Sequence, residues 1–384
     1  MIPYGRQWID EEDIRAVVEV LRSDWLTSGP KVVEFERAFA NLLGAKEAVA
    51  VSNGTAALHA AMYALEIGAG DEVIVPPMTF AATANCVVFQ GGTPVFADVD
   101  PETLLIESKQ VESKITSRTK AIIAVDFAGH PCDYDDLKSI ANRHSLALVA
   151  DACHALGARY KNRPVGSLAD LSTFSFHPVK HIATGEGGMI TTDDSVLAKR
   201  MRLFRNHGIT TDHLQREQLG SWFYEMVDLG YNYRITDFQC ALGLAQLQKL
   251  PDFLKQRRKI AARYDDGFSP TPQISPLAVS QDVLHAYHLY VVKVDFNNLA
   301  ADRDSFFRTL RQKGIGANVH YIPVHLHPFY QNKFRTGPGL CPVAETAYEQ
   351  ILSLPIFPRM KDEEVERVIS VVIETVMEFE PASH

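Results

Sequence analysis

Cysteine is scarce in this chain: five residues in 384 (Cys86, Cys132, Cys153, Cys240 and Cys341), odd in number and without a CxxC pair. No disulfide framework is implied, and reduced thiols fit the pattern. Basic charge is short as well. With 38 Lys and Arg against 47 Asp and Glu, the net charge of -9 gives no overall field to attract nucleic acid or an anionic membrane. Any anionic ligand must therefore be held locally. No run approaches the roughly 20 apolar residues of a spanning helix. The opening MIPYGRQWIDEED has no apolar stretch of the signal-peptide kind, so a cytoplasmic location is expected. Internal repeats, heptads and low-complexity segments are missing too. What is present is 46% hydrophobic residues, enough for one large domain with its own core and a smaller one beside it.

From Glu47 to about Ile190, short β-rich runs alternate with helix-length segments: AVAVS then TAALHAAMYAL, EVIVP then FAATANCVVF, AIIAVDF then YDDLKSIANRHS, and LALVAD. Strands apolar on both faces and separated by helices predict a mainly parallel sheet covered on both sides, an α/β domain. A helix is expected over about Asp10 to Leu21, and another after TSGPK. Pro251 is expected to break the long helical stretch TDFQCALGLAQLQKLPDFLKQRRKIAARYDDGF. The order then changes to a strand in HLYVVKVDF, a helix in RDSFFRTLRQKG, a short strand ANVHY and a terminal amphipathic helix from Asp362. These predict a large domain over residues 1–254 and a smaller α+β domain over 255–384.

Three places in the large domain carry chemistry. Ser52, Asn53, Gly54 and Thr55 lie between a strand and a helix, where free N–H groups and the helix dipole can hold an anion and Gly54 lets a phosphate come close. The same four residues serve equally well as a turn and N-cap. LALVADACHALG ends a buried strand in Asp151, with His154 three residues on; a carboxylate at a strand's carboxyl end faces the ligand crevice of a doubly wound sheet, or else caps the next helix. In SFHPVKHIATGEGGM, Lys180 sits in a compact loop between two strand-like runs. Shielding there disfavours its ammonium form and leaves a nucleophilic amine, whereas exposure leaves an ordinary surface lysine. Together, an anion cradle, a strand-end carboxylate and a loop lysine are the three parts that a pyridoxal phosphate site needs. The histidines of VHYIPVHLHPF (His320, His325, His327) and HAYH (His285, His288) lack HExxH spacing and a common helix, so no metal site is expected.

The segments WLTSGPKVVEFE, SNGTAALHAAM, PPMTFAATANCVV, GGTPVFADVD, DACHALGARY, FSFHPVKHIATGEGGMI, RNHG, GYNYRITDFQCALGLAQL and VHYIPVH together resemble the DegT/DnrJ/EryC1/StrS family of sugar aminotransferases. They run in family order from the N-terminus to at least His325. Within that family, VDFAGHPCDYDDL, DACHALG and SFHPVKHIATGEGG resemble the UDP-4-amino-4,6-dideoxy-N-acetyl-β-L-altrosamine transaminases of pseudaminic acid biosynthesis.

The resemblance implies a fold-type-I aminotransferase, a homodimer with shared active sites and pyridoxal 5'-phosphate as cofactor. By position, it implies that Lys180 binds the cofactor covalently and carries the proton, while Asp151 pairs with the pyridinium nitrogen. His154 would lie near the phenolic oxygen and Phe80 would stack on the ring, although Phe80 alone reads as core. Gly54, Thr55 and Ser175 would hold the phosphate, with Asn232 and Arg234 reaching in from the second subunit. Tyr4, Trp25, Leu26, Thr27, His320, Tyr321 and His325 would contact a nucleotide sugar. The expected reaction moves an amino group from an amino acid, L-glutamate, to C4 of a UDP-linked 4-keto-6-deoxy sugar. The alternatives are another nucleotide-linked keto sugar or a catalytically silent regulator. A dehydratase of this family would have histidine where this chain has Lys180. His177 and His181 have no assigned role.

Overall fold

The structure, a computed structural model, describes residues 1–211 and 213–381. Seven strands form the main sheet: β1 (Glu47–Val51), β2 (Glu72–Val75), β3 (Thr93–Phe96), β4 (Thr119–Val125), β5 (Ala147–Asp151), β6 (Leu171–Ser175) and β7 (Gly188–Thr192). Their order is β1-β7-β6-β5-β4-β2-β3. The pairs from β6 through β3 are parallel, and β7 alone runs against its neighbours on both sides. This is the expected mainly parallel α/β sheet, with β3 added to the runs legible in the sequence. Val73, Ile74, Val75, Ile122, Ile123, Val149 and Ala150 are all fully or almost fully buried, because helices cover both faces.

The flanking helices begin where their caps place them. Asp10 caps α1 (Glu11–Leu21) with its side chain, and Pro30 opens α2 (Pro30–Leu43) at the position where a missing N–H costs nothing. Asn53 caps α3 (Gly54–Ala64) by accepting from the Ala56 N–H at 2.8 Å. The helix α4 (Ala82–Phe89) follows the loop after β2.

Two expectations are corrected. The long C-terminal stretch is one helix, α5 (Asp237–Phe268), and it continues through Pro251. Pro251 is exposed, and buried Leu247, Leu250, Phe253 and Leu254 hold both halves in line. ANVHY is not a strand. Only Asn318 pairs there, exchanging backbone bonds with Ser353 at 3.0 and 2.8 Å. The strand beside it is Ile351–Leu354, which joins Tyr290–Val294 and Ile274–Pro276 in a three-stranded antiparallel sheet.

That small sheet, the helices Arg303–Gln312 and Asp362–Phe379 and the end of α5 enclose a second core that starts at Ile260. Residues 255–384 do not pack only with one another, since Ala286, Leu289, Val324 and Ile351 belong to the first core. Among the described residues, no helix is long and apolar enough to cross a membrane.

At Gly243, α5 passes close to α2: a Cβ there would lie 2.6 Å from Cζ of the fully buried Phe35. Gly243→Ala is therefore expected to lower stability by about 1–3 kcal/mol through overpacking, against its helix-propensity gain of about 1 kcal/mol. Urea denaturation checks the sign, and unchanged or raised stability contradicts this packing.

Candidate active site

The carboxyl ends of the parallel strands converge on one crevice, as expected for an open α/β sheet. Asp151 is the last residue of β5, Ser175 the last of β6, and Phe80 follows β2 in the loop leading to α4. Asp151 is buried, and its Oδ2 accepts from Thr83 Oγ1 at 2.7 Å, which is linked in turn to Thr79 Oγ1 at 2.7 Å. The Cys153 N–H reaches Oδ1 at 3.3 Å. These bonds fix the carboxylate's rotamer. Sequence alone points to neither Thr83, in the first turn of α4, nor Thr79, in the loop before it, because a lone threonine carries no chemical signature of its own.

Gly54 opens α3 directly against β6. A Cβ on Gly54 would lie 2.9 Å from Ser175 Cβ and 3.3 Å from Cys153 Sγ. The first-turn N–H groups of a helix have no intrahelical acceptor, so Gly54 and Thr55, beside Ser175, form a concave, donor-rich cradle. The turn reading of Ser-Asn-Gly-Thr also holds, since Asn53 does cap the helix. One short segment serves both purposes.

Lys180 is half-buried, and burial is the main cause that pushes its amine below the ordinary lysine range. Its Nζ lies 3.4 Å from His288 Nε2. Buried histidines surround this contact. His154 stacks obliquely on His288 with ring centroids 4.3 Å apart, and its Nε2 is 3.1 Å from the Tyr321 hydroxyl. His181 Nε2 donates to the Ala286 carbonyl at 3.1 Å. All three rings are held well below the usual histidine pKa by burial, with Lys180 adding to the effect. His181, without a role from sequence, is thus part of the wall beside the amine, whereas His177 is exposed.

Phe80 is 61% exposed with its ring 6.1 Å from that of Tyr321, so it stands at the crevice and not in the core. Tyr4 packs against His320 at 5.4 Å. His320 is buried between Ser353 Oγ at 2.8 Å and Asn318 at 3.3 Å, and burial lowers its pKa to about 3. Trp25, Leu26 and Thr27 line the start of α5: Leu26 accepts from the Asp237 N–H and Thr27 bridges Thr236. Gln239 on the same turn donates to the Glu186 carbonyl at 2.6 Å, linking this segment to the loop after Lys180. Arg234 donates to Asn206 Oδ1 at 3.0 Å, and the exposed Asn232 bridges the same Asn206.

His325 does not join the group. It is completely buried with its Nε2 2.8 Å from Glu345. Among the described residues, no group of three or more His, Cys, Asp or Glu side chains is placed to hold a metal ion. The residues do fit pyridoxal phosphate: a cradle that one methyl group would fill, an anchored carboxylate, an amine of lowered basicity and an aromatic ring free to stack.

The profile of the DegT/DnrJ/EryC1/StrS aminotransferase family matches residues 7–373. The chain is similar to the spore coat polysaccharide biosynthesis protein SpsC of Bacillus subtilis, with 44% identity over 377 residues covering 98% of this chain and 97% of the relative. Among solved structures it is similar to the putative sugar aminotransferase Spr1654 from Streptococcus pneumoniae in its PMP-form, with a TM-score of 0.93, 36% identity, and 98% of this chain and 100% of that one covered. The same relative is also known in a PLP-form. Helicobacter pylori PseC, an aminotransferase involved in the biosynthesis of pseudoaminic acid, is similar at a TM-score of 0.92 and 34% identity, with 98% and 100% covered.

A Cβ on Gly54 must displace Ser175, so filling the cradle is expected to cost some stability as well as weaken the cofactor. Gly54→Ala raises the Kd for pyridoxal phosphate about tenfold or more, near 1.4 kcal/mol. An unchanged Kd in a fluorescence titration contradicts the cradle.

Proposed function

The chain belongs to the DegT/DnrJ/EryC1/StrS aminotransferase family, and on that premise we propose that it transfers an amino group from L-glutamate to C4 of a UDP-linked 4-keto-6-deoxy sugar, a step toward pseudaminic acid. Its cofactor is pyridoxal phosphate, which when bound supplies an electron sink that acidifies the Cα–H of an attached amino acid. The observation that carries the proposal is the placement of the Lys180 amine, its Nζ 3.4 Å from His288 Nε2, in the same crevice as the anchored carboxylate of Asp151, where burial pushes its pKa down. A lysine amine in its neutral form can attack a carbonyl, and once released it can carry a proton between two carbons.

Each remaining residue has a place in this reading. Asp151, its direction set by Thr83, keeps the ring nitrogen protonated. Phe80 would stack on the ring, and His154, linked to Tyr321, would lie near the phenolic oxygen. Gly54, Thr55 and Ser175 hold the phosphate, joined by Asn232 and Arg234 of a second copy of this chain. Exposed Leu219, Trp222, Phe223, Met226, Leu229 and Tyr231, close together in the chain just before Asn232, support such a homodimer, because so many exposed large apolar side chains in one segment call for cover. Tyr4, Trp25, Leu26, Thr27, His320 and Tyr321 contact the nucleotide sugar. Residues 255–384 act as the smaller domain, and the reaction takes place in the cytoplasm. The pseudaminic acid assignment is supported by the likeness to PseC. The likeness to SpsC supports a second reading, an aminated nucleotide sugar destined for another polysaccharide.

With L-glutamate and a panel of UDP-, GDP- and dTDP-linked keto sugars, 2-oxoglutarate is expected to appear fastest with the UDP-4-keto-6-deoxy-N-acetyl sugar; a faster GDP- or dTDP-linked substrate refutes the nucleotide. Lys180→Ala is expected to lose the visible Schiff-base absorbance and all turnover. Turnover retained by that variant without added amine sinks the assignment. Asp151→Asn should still take up cofactor yet transaminate at least about a hundredfold more slowly, and a near-normal kcat removes Asp151 from its role.

A further inference from the structure

His288 has no assigned function, yet its Nε2 is 3.4 Å from Lys180 Nζ. It is buried, and its other nitrogen, Nδ1, has no hydrogen-bond partner in the structure. A lone imidazole with one empty side is an expensive group to bury, so its placement calls for a cause.

That placement is built from three directions. Gly129 adopts a φ of +103°, and a Cβ there would lie 2.8 Å from the His154 carbonyl oxygen and 2.9 and 3.0 Å from the Tyr287 and His288 nitrogens. Only glycine lets these backbones meet. The turn then docks the histidine segment: Ala286 N–H donates to the Gly129 carbonyl and Leu289 N–H to the Ala128 carbonyl. From α5, the fully buried Arg257 donates through Nη1 to the carbonyls of Tyr287 at 3.0 Å, His288 at 3.2 Å and Ile356 at 3.0 Å. The ring itself is wedged against His154 at 4.3 Å and His181 at 5.7 Å.

Resting on the reading of Lys180 as the reactive amine, we propose that His288 is a positioning residue that accepts a hydrogen bond from the free Lys180 amine and fixes the direction in which the amine faces the cofactor. It does not take the proton. Lys180, His154, His181 and Arg257 all face the ring, and each adds to burial in disfavouring an imidazolium. Asp151, Cys153 and Arg257 are the other groups that act on Lys180 itself. A neutral ring with a lone pair at Nε2 can receive an N–H from either form of the amine, more strongly from the ammonium. Removing that acceptor lowers the amine's pKa and loosens its orientation.

The test follows the visible band that forms when pyridoxal phosphate is added to the full-length apoprotein at a series of pH values. The neutral amine reacts, so the rate rises with pH through the amine's own pKa. In His288→Phe, the midpoint of that rise is expected to move down by about one unit and kcat to fall about tenfold with KM little changed. His288→Asn, which offers an amide oxygen in place of Nε2, is expected to restore most of both. If His288→Phe does not fold, His288→Ala takes its place. A midpoint unmoved in the acceptor-free variant, or displaced equally in His288→Asn, overturns the role of His288 alone, provided Lys180→Ala forms no band. A band that persists in Lys180→Ala overturns the underlying reading of Lys180 and this assignment with it.

Discussion

Everything in this site depends on keeping one lysine amine short of water. An exposed lysine amine is almost fully protonated near neutral pH, and its ammonium form is no nucleophile. Lys180 is instead set beside buried neutral rings, and burial lowers its basicity. The neighbouring histidines suit this purpose because they are polar enough to accept a hydrogen bond and too buried to carry a charge. Asp151 offers a compensating negative charge, and its own orientation is fixed by Thr83.

The fold serves that arrangement at a distance. Parallel strands end together, which brings Asp151, Ser175 and the loop carrying Phe80 to one edge. α5 spans the two cores, with Leu247 and Leu250 in the first and Ile260 and Tyr264 in the second. Between them it projects Arg257 onto the carbonyls around His288. A single helix thus ties the second core to the geometry of the amine, which explains why continuity through Pro251 matters more here than local propensity.

The sequence was most legible where local rules suffice. Buried apolar runs ending in turn residues located the parallel strands, and the junction at Gly54, the strand end at Asp151 and the loop at Lys180 followed from backbone logic. Phe80, Asn232 and Arg234 were reached only through resemblance, since an aromatic or a charged side chain in a loop has no local signature. Thr83, Arg257 and His288 act through partners 31 to 108 residues away, and no local window contains that pairing. The break expected at Pro251 failed because packing on both sides outweighed one lost bond. The strand expected at ANVHY failed because only Asn318 finds a ladder partner. His325 matched its motif but was claimed by Glu345.

The central claim, that Lys180 is the cofactor-binding amine, is tested most directly by a covalent label. Borohydride reduction of the protein loaded with pyridoxal phosphate, followed by digestion and mass spectrometry, locates the lysine that holds the cofactor. The account predicts the adduct on Lys180 and on no other lysine. An adduct on a different lysine, or none under conditions where the cofactor is bound, contradicts it.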